Sequence, residues 1–320
     1  MKGYVPSYYN EFKCIADKCI DSCCTGWDVD IDNDTAEIYK NSDVEKIKNK
    51  LTEDGFGYMF SLENNRCPFL NCKNLCDIQI EKGEDYLCRT CKLFPRYVEC
   101  YKDFCEMGLG FACPEAARII LNYDKPVQLI DNGDVDEIPE ETDEEFFSSM
   151  LFLRKMVLDE LDTPLPLKDK LSMIVELVSE FDDKERTTKK SFNSLIDIML
   201  EFEYIDESRK KYISSLKEKS FTGKCVTEYE KDFLKLMKYY VFRYFLTSSY
   251  DYFPLEKIKF GIFACIIISR IYENTENLDF EKRVDIMYKF SRELEYSQDN
   301  LDALSDGLYE ISAKNLIKLL

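Results

Sequence analysis

Cysteine is the residue type in this chain whose spacing could do chemistry. Of fourteen cysteines, only Cys225 and Cys265 lie outside the stretch from Cys14 to Cys113. The first cluster runs Cys14-x4-Cys19-x3-Cys23-Cys24 and is followed by Gly26 and Trp27. It is one residue away from the C-x4-C-x2-C run of plant-type ferredoxins. Cys67-x4-Cys72-x3-Cys76 repeats the spacing, and Cys88-x2-Cys91 adds the tight pair that zinc and iron–sulfur sites both use. Such a turn lets two thiolates converge while the intervening backbone amides face the sulfurs. Neighbouring side chains diverge, so Cys23 and Cys24 are not expected to bind the same ion. Pro114 makes Cys113 a predicted helix N-cap, where the positive end of the helix draws a thiol toward the thiolate that metals need.

What is missing narrows the chemistry further. The chain has no histidine, which removes the commonest general base and nitrogen ligand and excludes Ser-His-Asp and Cys-His catalysis. Any metal is then held by sulfur or oxygen. A formal charge of -19 argues against a nucleic-acid partner, because phosphate contacts need clustered Lys and Arg; the acidity is read as solubility. Met1 to Phe12 lacks the apolar core of a secretory signal, and the longest apolar run, Phe260 to Ser269, is half of what a membrane span requires. A cytoplasmic protein with no membrane partner is expected. In a reducing compartment dense cysteines point to metal rather than disulfides. Iron–sulfur is favoured over structural zinc because the thiols exceed one tetrahedral site, and C-x4-C-x3-C is unusual for zinc fingers.

The elements that must position these residues suggest a mainly α fold. Residues 1–122 read as an irregular cysteine-rich, metal-binding module with short strands near Trp27 to Ile31 and Gly57 to Leu62. In it, Asp34 or Thr35 is placed to cap a helix, Asp43 to Leu51 has helical spacing, and Glu115 falls in the first turn after Pro114. Residues 123–141 form an acidic connector with a short strand at Val127 to Ile130. Residues 142–320 read as a helical domain opened by a Thr142–Glu145 capping box, with five or six further helices to Leu320; the first helix is stopped at Thr163 to Pro166 and the next begins at Leu171. Phe233, Leu236, Tyr240, Val241 and Tyr244 make one core-facing stripe, and Phe260 to Ser269 is a buried core helix.

The motifs FKC-x4-C-x3-CC-x-GW (Phe12 to Trp27), CPFL (Cys67 to Leu70), LCDIQ (Leu75 to Gln79), LC-x2-C-x2-FPR (Leu87 to Arg96) and CPEAARIIL (Cys113 to Leu121) resemble those of the flagellin lysine N-methylases. Tyr239 to Tyr252 and Arg292 to Asn300 extend the resemblance into the helical part. It implies methyl transfer from S-adenosylmethionine to flagellin lysines, with an iron–sulfur cluster, of the 4Fe-4S kind. It also implies a ligand pool of Cys14, Cys19, Cys23, Cys24, Cys67, Cys76, Cys88, Cys91 and Cys113, whereas Cys72, Cys100 and Cys105 fall off the family's positions.

Methyl transfer to lysine needs a neutral amine, although a free lysine is protonated at neutral pH with a pKa of about 10.4. Desolvation together with Glu, Asp or Tyr must remove that proton. Glu115 is the candidate acceptor nearest the cysteines, and Arg96 the candidate partner for the donor's carboxylate. Trp27 is expected to pack over the metal site. Gly108-Leu109-Gly110 follows no clear strand, so a Rossmann donor site is not expected. The competing reading is a non-enzymatic iron–sulfur or zinc-binding protein serving assembly, redox sensing or interaction.

Overall fold

The computed structural model describes residues 1–53, 55, 57–137, 139, 141–181 and 187–320. The connector residues 138 and 140 lie outside this set. The chain is mainly helical, with two small sheets. Strands β1 (Lys2–Pro6), β2 (Val29–Ile31), β3 (Leu51–Glu53), β4 (Tyr58–Phe60), β5 (Arg96–Tyr101), β6 (Phe104–Leu109) and β7 (Leu129–Asp134) are interleaved with short helices. These are α1 (Asn33–Lys40), α2 (Glu45–Lys50), α3 (Asp77–Lys82), α4 (Arg89–Leu93) and α5 (Pro114–Asn122). One sheet has the order β5-β6-β1-β7 and the other β2-β4-β3. β5 and β6 form a tight antiparallel hairpin, β6 runs parallel to β1, and β7 closes the far edge antiparallel to β1. The connector strand thus starts two residues later than its apolar residues suggested, because backbone pairing with β1 extends it through the polar residues Asp131 to Asp134.

The second part is built from α6 (Glu144–Leu161), α7 (Leu167–Ser179), α8 (Phe192–Leu200), α9 (Glu207–Ser215), α10 (Lys224–Glu228), α11 (Glu230–Tyr244), α12 (Ser248–Asp251), α13 (Pro254–Glu273), α14 (Phe280–Glu295), α15 (Gln298–Tyr309) and α16 (Ala313–Ile317). More helices form than the first and the five or six further ones expected, since four of these eleven run nine residues at most from Phe192 to Asp251 and carry too few turns to show a clear stripe. α13 is buried along almost its whole length, including every residue from Phe260 to Ser269, so it is the axis around which α7, α11, α14, α15 and α16 pack. The expected stripe holds: Phe233, Leu236, Tyr240 and Val241 are buried.

Two cores result. The larger joins the β1, β5 and β6 sheet and α5 to the helices. A smaller one, from Val29, Ile31, Ala36, Tyr39, Ile47, Phe60, Phe69, Ile78 and Leu87, lies under the middle cysteines.

Three helix starts differ from expectation. Asp32, not Asp34 or Thr35, caps α1 by accepting from the Thr35 N–H at 2.9 Å. Asp143 caps α6 by accepting from the Phe146 N–H at 2.7 Å, which displaces the Thr142–Glu145 box by one residue. α7 begins at Leu167 because Pro166 sets its entry and the Glu230 carboxylate accepts from the Leu167 N–H at 2.6 Å.

Candidate functional site

The thiols gather in two neighbourhoods. Cys23, Cys24, Cys67, Cys76, Cys88 and Cys91 act on one another electrostatically, and Cys14, Cys19 and Cys113 form a second set. Backbone pairing explains the first: the Cys67 N–H donates to the Cys24 carbonyl at 2.7 Å, and Leu70 bridges to Cys76. Cys76, Cys88 and Cys113 are the N-cap residues of α3, α4 and α5. None makes a conventional capping hydrogen bond, yet first-turn N–H groups pull each thiol toward ionisation: Ile78 and Gln79 for Cys76, Thr90 and Cys91 for Cys88, Glu115 and Ala116 for Cys113. Burial opposes them. It pushes the Cys67 and Cys113 thiols up to about 12 and raises Cys76 and Cys19. The Cys88 and Cys91 thiols share a hydrogen bond that lowers Cys88 and raises Cys91, so Cys88 ionises first. Among the described residues, no three His, Cys, Asp or Glu side chains stand in a metal-coordinating arrangement. The donor chemistry nevertheless suits a thiophilic metal, because the set offers only sulfur and first-turn N–H groups that stabilise thiolates.

The first cysteine loop is held by the far end of the chain. Arg292 of α14, 7% exposed, donates to the Asp21 carboxylate, to the Ser22 carbonyl at 3.1 Å, and to the carbonyl and hydroxyl of Thr25. Trp27 donates its indole N–H to the Cys23 carbonyl at 2.8 Å and stacks on Tyr296 with centroids 4.6 Å apart. Phe94 completes this aromatic group. Gly26 has φ +89°, and a Cβ there would sit 2.2 Å from the Ile205 side chain, so both its conformation and its neighbour demand glycine.

Behind this lies a buried polar cluster. Glu295, its side chain 1% exposed, accepts from Arg243 at 2.6 Å, Tyr239 at 2.6 Å, Tyr244 at 2.9 Å and Ser291 at 2.6 Å. The Arg243 guanidinium also lies over the rings of Tyr97 at 4.6 Å and Tyr244 at 5.1 Å. Gly108 and Gly110 serve this packing. A Cβ on Gly108 would fall 2.2 Å from the Tyr97 hydroxyl, and the Gly110 N–H donates to the Pro95 carbonyl at 2.7 Å. Gly108 lies within β6, paired with β5, so the Gly108-Leu109-Gly110 segment is strand and strand end, not a phosphate loop.

The other expected residues fall as follows. Glu115 pairs with Arg118 at 3.4 Å and lines a surface groove with Glu11, Ile119 and Tyr123, and Arg118 also pairs with Glu281 of α14. Arg96 stacks over Tyr9 at 5.5 Å and Phe12 at 5.0 Å. Cys72 is exposed. Cys100 and Cys105 face each other across the β5–β6 hairpin, Cα atoms 4.0 Å apart, and form a disulfide, contrary to the expectation that cysteines here avoid disulfides; the pairing withdraws both from any ligand role. Sequence reasoning missed Arg243, Arg292, Glu295 and Tyr296. The signal was present, since all four lie in Tyr239 to Tyr252 and Arg292 to Asn300, but a charged residue in a helix carries no mark of burial.

These features define a mainly helical protein whose cysteine-rich segment is clamped to its later helices. Residues 112–320 match the family model described as the FliB lysine N-methylase C-terminal domain, and the chain belongs to that family. It is similar to the flagellar biosynthetic protein FliU of Salmonella muenchen, 31% identical over 130 residues, which cover 37% of this chain and 75% of that protein. The lysine-N-methylases of Salmonella typhimurium and Salmonella choleraesuis are each 30% identical over 131 residues, again 37% of this chain but 32% of theirs. The match thus spans about a third of the lysine-N-methylases. No solved structure matches the chain, and among the described residues no helix is long and apolar enough to cross a membrane.

Proposed function

We propose that this chain is a protein-lysine N-methyltransferase that transfers methyl from S-adenosylmethionine to flagellin and carries an iron–sulfur centre on its cysteine-rich segment. The family match over residues 112–320 carries the reading, and the lysine-N-methylases and FliU among its relatives point the same way. The ligand pool is Cys14, Cys19, Cys23, Cys24, Cys67, Cys76, Cys88, Cys91 and Cys113. Bound iron would tie together sulfurs from four stretches of the chain, at residues 14–24, 67–76, 88–91 and 113. Cys88 and Cys113 have their sulfurs at helix N-termini, where the backbone supports a thiolate once a cation offsets the cost of burial. Glu115, half-buried beside Arg118, is proposed to take the acceptor amine's proton. Arg96, stacked on Tyr9 and Phe12, is proposed to bind the donor's carboxylate.

The test is anaerobic purification, metal and sulfide analysis, then incubation with S-adenosylmethionine and flagellin from the same cell. Lysine peptides heavier by steps of one methyl group support the proposal. Iron- and sulfide-loaded protein that leaves flagellin unchanged overturns the transferase assignment, and colourless protein containing only zinc overturns the iron.

A further inference from the structure

Tyr296 has a hydroxyl that is buried and, among the described residues, makes no hydrogen bond. Leaving such a group unsatisfied is ordinarily unfavourable, so its place needs a reason. The ring is fixed from several sides. It is stacked on Trp27, edge-on to Phe94 at 5.7 Å, and flanked by Arg292, its guanidinium 5.8 Å from the ring centroid. Trp27 is in turn fixed to the Cys23 carbonyl, and Arg292 to the loop on both sides of Cys23 and Cys24. Burial raises the phenol well above its ordinary value, and the contacts of Trp27 and Arg292 place the ring beside the loop that carries Cys23. The phenol therefore remains a donor at any ordinary pH.

We propose that Tyr296 is a positioning residue of the cysteine centre: its hydroxyl donates to the Cys23 thiolate once that sulfur holds metal, while Arg292 fixes the Asp21 to Thr25 loop that carries the sulfur. The inference rests on the metal reading above. In this arrangement the last long helices, which contribute no cysteine, furnish the outer shell of a centre whose ligands lie some 270 residues earlier in the chain. Hydrogen bonds to a ligating sulfur spread its charge and favour the reduced state. Removing one makes reduction harder.

The experiment uses the full chain purified without oxygen, with iron and sulfide content, visible absorption and midpoint potential as readouts. Tyr296→Phe keeps the ring stack and removes only the hydroxyl. It is expected to keep the wild-type iron and sulfide content while the midpoint potential moves to more negative values and the charge-transfer bands shift. Phe94→Leu disturbs the same aromatic group without touching a polar atom and is expected to leave the potential in place. Arg292→Met is expected to lose at least half of the bound iron. A loaded Tyr296→Phe protein with unchanged spectrum and potential overturns the proposal, as does an equal shift in Phe94→Leu, which would assign the effect to packing. Wild-type protein free of iron and sulfide removes the metal reading itself, a result plainly different from either.

Discussion

The Arg243–Glu295 pair permits a prediction whose size follows from burial. Glu295's side chain is 1% exposed and Arg243's 18%, and they meet at 2.6 Å. Arg243→Met leaves a carboxylate inside the protein with three hydroxyl donors, Tyr239, Tyr244 and Ser291, but no cation. Breaking a buried pair in this way typically costs about 3–5 kcal/mol. Glu295→Gln should cost less, because Arg243 keeps some solvent and the faces of Tyr97 and Tyr244. The double variant Arg243→Met with Glu295→Gln removes both charges and leaves an amide in which only the oxygen accepts, so at most two of the three hydroxyls lose their acceptor, at about 1 kcal/mol each. It should therefore be no worse than Arg243→Met alone, and the double-mutant cycle should show about 2 kcal/mol or more of coupling. Thermal unfolding followed by far-ultraviolet circular dichroism checks this, with Arg243→Met expected to lower Tm by about 5–10 °C. A loss below about 1 kcal/mol for Arg243→Met, or coupling below about 0.5 kcal/mol, would show that solvent reaches the pair and that the argument from burial fails.

Three further outcomes are expected. Asp32 caps α1 and also accepts from the Arg89 N–H of α4 at 2.8 Å, so Asp32→Ala should cost about 2 kcal/mol at neutral pH. Although burial pushes the other way, those N–H groups hold its carboxyl below the ordinary value; its contribution is full above about pH 4 and fades as pH falls through the lowered value, so urea midpoints of variant and wild type should converge in acid. Gly26→Ala combines a left-handed backbone with collision against Ile205 and should destabilise the chain by about 2–4 kcal/mol, whereas Gly26→Ala with Ile205→Ala should recover only the collision, as read from Tm. Asp143→Ala should cost about 1 kcal/mol and Thr142→Ala almost nothing in urea unfolding; the reverse order would restore the Thr142–Glu145 box.

How much of this could be read in the residues depends on the distance over which each signal acts. The α13 core helix was legible because the run from Phe260 to Ser269, without a charged residue and polar only at its closing serine, needs no partner to be recognised as buried. Pro114 after Cys113 was legible for the same local reason, and α5 starts there. The capping residues were missed by one to three positions because Ser, Thr and Asp all cap, and only the backbone's entry angle selects among Asp32, Asp34 and Thr35. The four short helices between Phe192 and Asp251 lacked enough turns to show a period.

The candidate site divides along the same line. Cysteine spacing announces itself, because two sulfurs separated by two residues are already near one another; the grouping of Cys24 with Cys67 and Cys76, by contrast, comes from a backbone bond across more than forty residues. Still less visible is the role of α14. Arg292 and Glu295 read as an ordinary solvated helix end, and nothing in their spacing reveals that one grips Asp21, Ser22 and Thr25 while the other accepts four hydrogen bonds. A thiol-rich loop without histidine and with few apolar residues has little to fix its own shape. Supports borrowed from distant helices are the physical alternative, so the helical part of this chain is as much a component of the cysteine site as the cysteines are.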